Sequence, residues 1–195
     1  MRQALLQQFQ HDEAITRLEA WQQLLQELNG TTESEQLAAV NKFFHQRIRY
    51  RLDQDLYGEV DYWASVLQTL GHGLGDCEDW AIAQYISLRQ LGISDKKLRL
   101  IYVKARVALN HTEAHMVLGY YATPNSPPLI LDSLKAGVTP ASERLDLTPV
   151  FSFNGEGLWA GQGNQRANSS PTARLSRWRD VLERMQVEGI QFKND

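Results

Sequence analysis

Apolar residues recur every three or four positions over residues 3–28, a pattern that predicts one helix with a single buried face. That face comprises Leu5, Leu6, Phe9, Ile15, Leu18, Trp21, Leu24, Leu25 and Leu28. Asn29 and Gly30 are typical of a helix C-terminus. Thr32 and Glu35 then have the spacing of a capping box, which predicts a second helix. Its apolar side is formed by Leu37, Val40, Phe43, Phe44 and Ile48.

The next stretch, residues 50–75, is rich in acids and glycines, and only the run WASVLQTL within it favours a short helix. A third helix is predicted from Cys77 to Leu91. Asp76 is well placed as its N-cap, and Asp79, three residues on, completes a pair that resembles a capping box.

The second half of the chain has the composition of strands rather than helices. Three segments rich in β-branched, aromatic and aliphatic residues predict strands at 98–107, 114–121 and 128–134, and the turn-rich run ATPNSP separates the last two. Residues 154–171 are predicted to form a loop, and residues 171–187 a final helix. Helices followed by strands indicate the α+β class with an antiparallel sheet.

The length of 195 residues fits one domain. We predict a single domain over 1–195, with a helical N-terminal part (1–49), a core (50–153) and a loop with a C-terminal helix (154–195). A hydrophobic fraction of 43% with 22% charged residues excludes a disordered, collagenous or membrane-spanning chain.

The net charge of −3 argues against a nucleic-acid binder that depends on bulk positive charge. The first thirty residues contain neither the apolar run nor the cleavage site of an export signal. We therefore expect either a cytoplasmic protein or a mature or truncated form of an exported one.

Cys77 is the only cysteine, so an intrachain disulfide and a Cys-rich zinc site are excluded. Three glycines precede it and let the backbone turn sharply into the predicted helix. In the first helical turn, unpaired amides and the positive end of the helix dipole stabilise a thiolate. This polar setting favours a reactive thiol over an inert buried one.

The acids around Cys77 oppose that role, because the negative charges of Asp76, Glu78 and Asp79 raise a thiol pKa. Asp76 and Asp79 could cap the helix, or a bound cation could neutralise the group, and carboxylate oxygens suit Ca²⁺. Further oxygens lie upstream, on Asp53, Asp55, Glu59 and Asp61. An EF-hand is rejected because the twelfth position of such a loop would be Ala64.

A nucleophilic cysteine needs a base, and the base needs an orienting group. His115 is the favoured base because it opens a strongly apolar strand, although a structural histidine remains the alternative. The other four are assigned to helix surfaces, a glycine loop and a turn; they are His11, His45, His72 and His111.

The hairpin around the turn ATPNSP has two open registers. If Tyr121 pairs with Ser126, His115 lies directly opposite Asp132, and side chains opposed in this way lie close together on one face. If Tyr121 pairs with Pro128, Leu134 lies opposite His115 instead.

A cysteine at a helix start, a histidine on one strand and an aspartate on the next resemble the papain-like and transglutaminase-like arrangement. The stretches DYW (61–63), GDCED (75–79), AIAQYISLRQLG, LRLIYVKARV, AHMVL (114–118) and LDS (131–133) resemble the bacterial transglutaminase-like cysteine proteinases. They span roughly residues 60–135. Where we expect Thr-Pro after the Tyr-Trp of this family, the chain has Ala64 and Ser65.

The resemblance implies a transglutaminase-like fold, in which the nucleophile helix packs on an antiparallel sheet, and a Cys-His-Asp triad. Cys77 would be the nucleophile, His115 the general base and Asp132 the orienting acid. Asp76 and Glu78 would bind calcium, and Asp79 and Asp61 are weaker candidates for the same site. For the oxyanion we predict the main-chain N–H of Cys77 and a second donor near Trp63.

The resemblance also implies a biological role. Proteins of this type are calcium-dependent endoproteases of the bacterial periplasm, so the chain is expected to be a form without its export signal. They cut a large biofilm adhesin in its N-terminal region, near two alanines, and release it from the cell surface. An inner-membrane receptor that responds to cyclic di-GMP holds them inactive. A transglutaminase-type acyltransferase and a non-catalytic binding module remain alternatives.

Two C-terminal features leave their roles open. Leu158 and Trp159 could flank a substrate groove or a partner site, but a disordered linker is the favoured interpretation of residues 155–163. The last helix contains four arginines, for which a solvated face is the default and docking to an acidic partner the alternative; they are Arg174, Arg177, Arg179 and Arg184.

Overall fold

The computed structural model describes residues 1–161 and 172–191, with side chains from Ser176 onward in the last helix. The helices are α1 (Arg2–Gln8), α2 (Asp12–Glu27), α3 (Glu33–Arg47), α4 (Asp53–Leu56), α5 (Val66–His72), α6 (Cys77–Gln90) and α7 (Thr172–Val187). The strands are β1 (Arg49–Tyr50), β2 (Leu74–Gly75), β3 (Leu98–Ala108), β4 (His111–Tyr120), β5 (Leu129–Asp132), β6 (Lys135–Pro140), β7 (Leu147–Phe153) and β8 (Leu158–Ala160).

Six of the strands form one antiparallel sheet in the order β6-β5-β4-β3-β7-β8. Helix α6 packs against β3, β4 and β5, and α3 packs against β5 and β6, so the main core lies between these helices and the sheet. A smaller apolar cluster of Ile101, Val103, Ala105, Val117 and Ile130 lies apart from it. The α+β prediction with an antiparallel sheet is confirmed.

Helix α6 is buried along almost its whole length, because it lies between the other helices and the sheet. It begins at Cys77, as predicted, and ends one residue before Leu91. Strand β2 ends two residues before Cys77 and pairs in parallel with β1, which places Arg49 beside Leu74 and Tyr50 beside Gly75. These two residue pairs hold the main chain that leads into α6.

The N-terminal helix predicted over residues 3–28 is wrong in one respect, because the chain breaks between α1 and α2. Phe9 is extended, and the imidazole of His11 accepts a hydrogen bond from the N–H of Ala14 and caps α2. The apolar spacing continues across the break, so periodicity alone did not reveal it. The capping box of Thr32 and Glu35 forms as predicted.

Strands β6, β7 and β8 were not predicted. They are short or largely exposed, so their residues lack a clear apolar alternation. Strand β8 replaces residues 158–160 of the loop predicted over 154–171, whereas residues 154–157 and 161 lie outside helices and strands as predicted. Residues 162–171 lie outside the described residues. No helix within the described ranges has the length and apolar character needed to cross a membrane.

Helix α5 approaches the N-terminal segment closely at Gly71. A Cβ added at this glycine would lie 2.3 Å from the ring of Phe9. We expect Gly71→Ala to lower the free energy of unfolding by about 1–3 kcal/mol through this overlap. Gly137→Ala is the control, because a Cβ there meets nothing within 4 Å. Urea titrations that place both variants at wild-type stability would contradict the packing described here.

Candidate active site

Cys77 is the first residue of α6, and 8% of its surface is exposed. Its Sγ lies 2.8 Å from Oε2 of Glu78, to which the thiol donates. Burial and the charges of Glu78 and Asp76 raise the pKa of Cys77, while the main-chain N–H of Met116, which donates to the sulfur, lowers it. The cysteine therefore lies against β4, beside the residue that follows His115.

The structure brings His115 and Asp132 together. Nε2 of His115 lies 2.7 Å from Oδ1 of Asp132, and both side chains are buried. Burial raises the pKa of Asp132, but hydrogen bonds from His115, the N–H of Leu134 and Arg144 outweigh it and leave that pKa below its ordinary value. An ionised Asp132 accepts the Nε2 proton, which leaves Nδ1 as the nitrogen able to act on a thiol.

The contact between His115 and Asp132 forms in the second of the two registers considered, in which Asp132 is not directly opposite His115. Leu118 pairs with Leu131 and Tyr120 pairs with Leu129, which is the register that aligns His115 with Leu134. The pairing of β4 with β5 stops before His115 is reached, and the pairing of β5 with β6 is irregular at Asp132. Asp132 therefore meets His115 diagonally, across the end of the strand pair.

Two residues that the sequence did not single out hold Asp132 in place. Nη2 of Arg144 lies 2.5 Å from its Oδ2. Nε2 of His45 lies 2.9 Å from its main-chain oxygen, and the His45 ring packs edge-on against Trp80. His45 thus connects α3 to β5, and its assignment to a helix surface is wrong. No local motif marks Arg144, which follows a short 3-10 turn.

Five acids lie together beside Cys77. Carboxylate oxygens of Asp53, Asp76 and Asp79 lie within 4.8 Å of one another, as do those of Asp53, Asp61 and Glu78. Asp53 belongs to both groups, although it was named in the sequence analysis only as one of four upstream acids. Asp55 and Glu59 are exposed and lie in neither group.

The electrostatics of this acidic cluster are unfavourable when it stands without a cation. Burial and the neighbouring acids raise the pKa of Asp76 to about 10, and burial raises that of Asp53 to about 6. Burial also raises the pKa values of Glu78 and Asp79. One oxygen on each of Asp53, Asp76 and Asp79 is buried with no hydrogen-bond partner among the described residues. Convergent, unpaired carboxylate oxygens are the donor set that Ca²⁺ prefers.

Helix capping, the other explanation for these acids, accounts for only part of the arrangement. Asp76 is the N-cap of α6, but its side chain makes no capping hydrogen bond. Asp79 accepts from the N–H groups of Ala64, at 2.7 Å, and Asp76. Of the two hydrogen bonds of a capping box, only the one from the N–H of Asp76 to the side chain of Asp79 forms. The carboxylate of Asp76 does not cap the helix.

Trp63 is buried, and its ring stacks on Phe153 at a centroid distance of 5.6 Å. Its indole N–H donates to Oδ1 of Asp61. The second oxyanion donor near Trp63 therefore remains a prediction, and it would have to come from another group than this indole.

Helix α7 anchors the segment that contains Trp63. Arg177 binds Asp61, and Arg184 binds the main-chain oxygen of Trp63 and, at 2.8 Å, Oε1 of Gln68. For these two arginines, the default of a solvated face is wrong. Arg179 is exposed, and the side chain of Arg174 lies outside the described residues.

The two residues considered for a substrate groove pack within the protein. Leu158 is buried in the main core. The ring of Trp159 lies against the guanidinium of Arg99, which is 4.1 Å from the ring centroid, and Tyr121 lies 4.6 Å from the same guanidinium. The linker favoured for this segment is also wrong, because both residues belong to β8.

Comparisons with known proteins agree with this geometry. Legionella pneumophila LapG is 41% identical over 93% of both chains, with a TM-score of 0.77. Its calcium-bound form is 40% identical over 94% of this chain and 96% of that chain, with a TM-score of 0.79. An EGTA-treated form is 41% identical over 93% and 94% of the two chains, also with a TM-score of 0.79.

No curated protein matches the chain. The sequence model of the family described as bacterial transglutaminase-like cysteine proteinase matches residues 12–144, which include the candidate nucleophile, base and orienting acid and all five clustered acids. The chain therefore belongs to the bacterial transglutaminase-like cysteine proteinases.

Proposed function

We propose that the protein is a calcium-dependent endoprotease in which Cys77, His115 and Asp132 form the catalytic triad. The observation that carries this proposal is the buried contact of 2.7 Å between His115 and Asp132, next to the amide that binds the Cys77 sulfur. A buried ion-pairing histidine beside the start of a helix that holds the only cysteine is the arrangement that cysteine proteolysis needs.

In the proposed reaction, Nδ1 of His115 takes the thiol proton and the thiolate of Cys77 attacks the peptide carbonyl. The imidazolium, stabilised by Asp132, then gives its proton to the leaving amine, which departs as the acyl thioester forms. Water, deprotonated by His115, hydrolyses the thioester and restores the thiol. The N–H of Cys77 at the start of α6 is placed to stabilise the oxyanion.

Calcium is proposed to bind the acidic cluster, with Asp53, Asp61, Asp76, Glu78 and Asp79 as the oxygen donors. When bound, it neutralises the carboxylates that raise the pKa of the neighbouring thiol. In the structure, the thiol of Cys77 donates to Glu78 at 2.8 Å. If Glu78 bound calcium instead, the thiol proton would be available to His115. The calcium-bound LapG of Legionella pneumophila supports this proposal.

The proposed substrate is a large biofilm adhesin, cut in its N-terminal region near a pair of alanines and so released from the cell surface. The proposed site of action is the periplasm. The proposed regulator is an inner-membrane receptor that responds to cyclic di-GMP and binds the protease through its periplasmic domain. These three proposals rest on the chain's resemblance to the family and on its likeness to LapG.

The triad is tested with the adhesin's N-terminal region and calcium, by mass measurement of the fragments. Cys77→Ser and His115→Gln should each lower kcat/KM by roughly 10³-fold or more, because the nucleophile and its base act as a unit. Circular dichroism checks that both variants fold. Incorporation of a labelled amine without new termini would instead identify an acyltransferase, and binding of the adhesin without any covalent change a binding module.

Calcium binding is tested by calorimetric titration of Asp53→Asn. We expect its calcium affinity to fall about tenfold or more, since a carboxylate shared by both groups of the cluster is lost. Asp55→Asn is the matched control, because Asp55 is exposed and its one ion pair among the described residues is with Arg51, at 3.7 Å. Equal affinities for the two variants, or full proteolytic activity in excess chelator, would refute the assignment.

Calcium binding should also release protons at pH 6. The metal-free cluster holds protons there, since the pKa of Asp76 is raised to about 10 and that of Asp53 to about 6, whereas calcium binds ionised carboxylates. Affinity is therefore expected to rise with pH. Calorimetry at pH 6 in two buffers with different ionisation enthalpies measures the number of protons released. Identical heats in the two buffers would argue against this linkage.

A further inference from the structure

We propose that Arg144 is a positioning residue of the active site, which holds Asp132 in the orientation that fixes the imidazole of His115. This inference rests on the proposed function, because it assigns Asp132 its orienting role. Arg144 would not touch the substrate, and its effect on the reaction would pass through Asp132.

The two oxygens of Asp132 have separate partners. Oδ1 lies 2.7 Å from Nε2 of His115 and accepts from the N–H of Leu134 at 3.0 Å. Oδ2 lies 2.5 Å from Nη2 of Arg144. With both oxygens engaged, the carboxyl group cannot rotate about its own axis without breaking a hydrogen bond. Arg144 therefore determines which oxygen is presented to the imidazole.

Arg144 is itself held on a second carboxylate. Its Nε lies 3.0 Å from Oδ1 of Asp146, and its Nη2 lies 2.8 Å from Oδ2 of the same residue. The Arg144 side chain is 3% exposed and that of Asp146 is 39% exposed. The guanidinium thus spans two carboxylates, one buried and one at the surface. Only the planar fork of arginine offers donors in this geometry, and a lysine ammonium does not.

Burial makes this partner necessary. The side chain of Asp132 is fully buried, and a buried carboxylate is costly in free energy unless it is paired and hydrogen-bonded. Arg144 also lines a cavity of about 470 Å³ that Asp132 does not reach. The guanidinium of Arg144 therefore stabilises the negative charge of Asp132, a carboxylate that is not exposed to water.

The charge of Arg144 also sets how strongly Asp132 stabilises the imidazolium. Loss of the guanidinium leaves Asp132 uncompensated, which favours protonated His115. Loss of the Asp146 charge leaves the positive charge of Arg144 to act on Asp132 only, which disfavours the protonated form of His115. Other charged or titratable groups come from the strand of His115 and from its neighbouring elements, and they are Glu113, Lys104, Lys135, His45, Cys77 and Glu78. None of these is changed in the comparison of Arg144 and Asp146 variants.

The test compares Arg144→Met, Arg144→Lys and Asp146→Asn with the wild type at saturating calcium. The readouts are the pH profile of kcat/KM for adhesin cleavage and the titration of the His115 imidazole by NMR, assigned with His115→Gln. The second readout needs no substrate. Arg106→Met is the control, because Arg106 is an exposed arginine on β3 and its loss removes the same charge.

We expect Arg144→Met to lower kcat about tenfold, with little change in KM, and to shift the His115 imidazole titration and the acidic limb of the pH profile upward by about one pH unit. Asp146→Asn should move both downward. Arg144→Lys should lower kcat but leave the acidic limb near that of the wild type, because the charge is kept. Arg106→Met should change neither kcat nor the limb.

Three results would overturn the inference. They are an unmoved imidazole titration in both Arg144→Met and Asp146→Asn, shifts of the same sign in the two, or a fall in kcat that is equal at every pH. If Arg144→Met does not fold, Arg144→Lys and Asp146→Asn still test it, since Asp146 lies at the surface. A wild type that leaves the adhesin uncut while the imidazole shifts as stated would refute the proposed function and not the role of Arg144.

Discussion

The structure depends on negative charge buried beside a thiol. Around Cys77 and His115 the chain places six buried or half-buried carboxylates, and each must be protonated, paired or bound to a cation. Asp132 is paired, with an imidazole on one oxygen and a guanidinium on the other. Among the acids beside Cys77, Asp61 is paired with Arg177. The other four have no cationic partner among the described residues, and burial raises their pKa values. The two ends of the site thus meet the same constraint in opposite ways.

This division follows from the positions of the acids in the fold. Asp132 ends a central strand, where the neighbouring loop brings Arg144 onto it. The clustered acids lie at the N-terminus of α6 and on the segments that precede it, where main-chain amides neutralise part of the charge and leave several oxygens unpaired. A fixed cation at one end stabilises a permanent arrangement of base and orienting acid. Unpaired oxygens at the other end would make Cys77, the proposed nucleophile, responsive to an exchangeable ion.

Much of the site could be predicted from the sequence because its residues carry local signals. Cys77 follows a glycine-rich turn at a helix start, and His115 is out of place in an apolar strand. The strand register could not be read, since the contact with Asp132 is diagonal and depends on where β5 ends. Arg144 follows a turn between two strands that lack a clear alternation. Its role appears only when chain segments far apart in sequence are brought together.

The same contrast holds for the fold. Helix α6 and strands β3 and β4 were predicted because they are long and apolar, and β5, although short, because it is apolar and follows a clear turn. The break before α2 was not, because a histidine ring caps the helix there in place of a more common side chain. For Asp53, the presence of the acid was noted, but its burial depends on α4, a single turn of helix.

The anchoring of the Asp61–Trp63 segment by α7 has a consequence for biosynthesis. On the ribosome, Cys77, His115, Asp132 and all the clustered acids emerge before Arg177 and Arg184 are made. Until those arginines arrive, the segment that contributes Asp61 lacks the contacts that α7 makes with it. The anchoring of Asp61 is therefore completed late in translation, after the rest of the acidic cluster has been made.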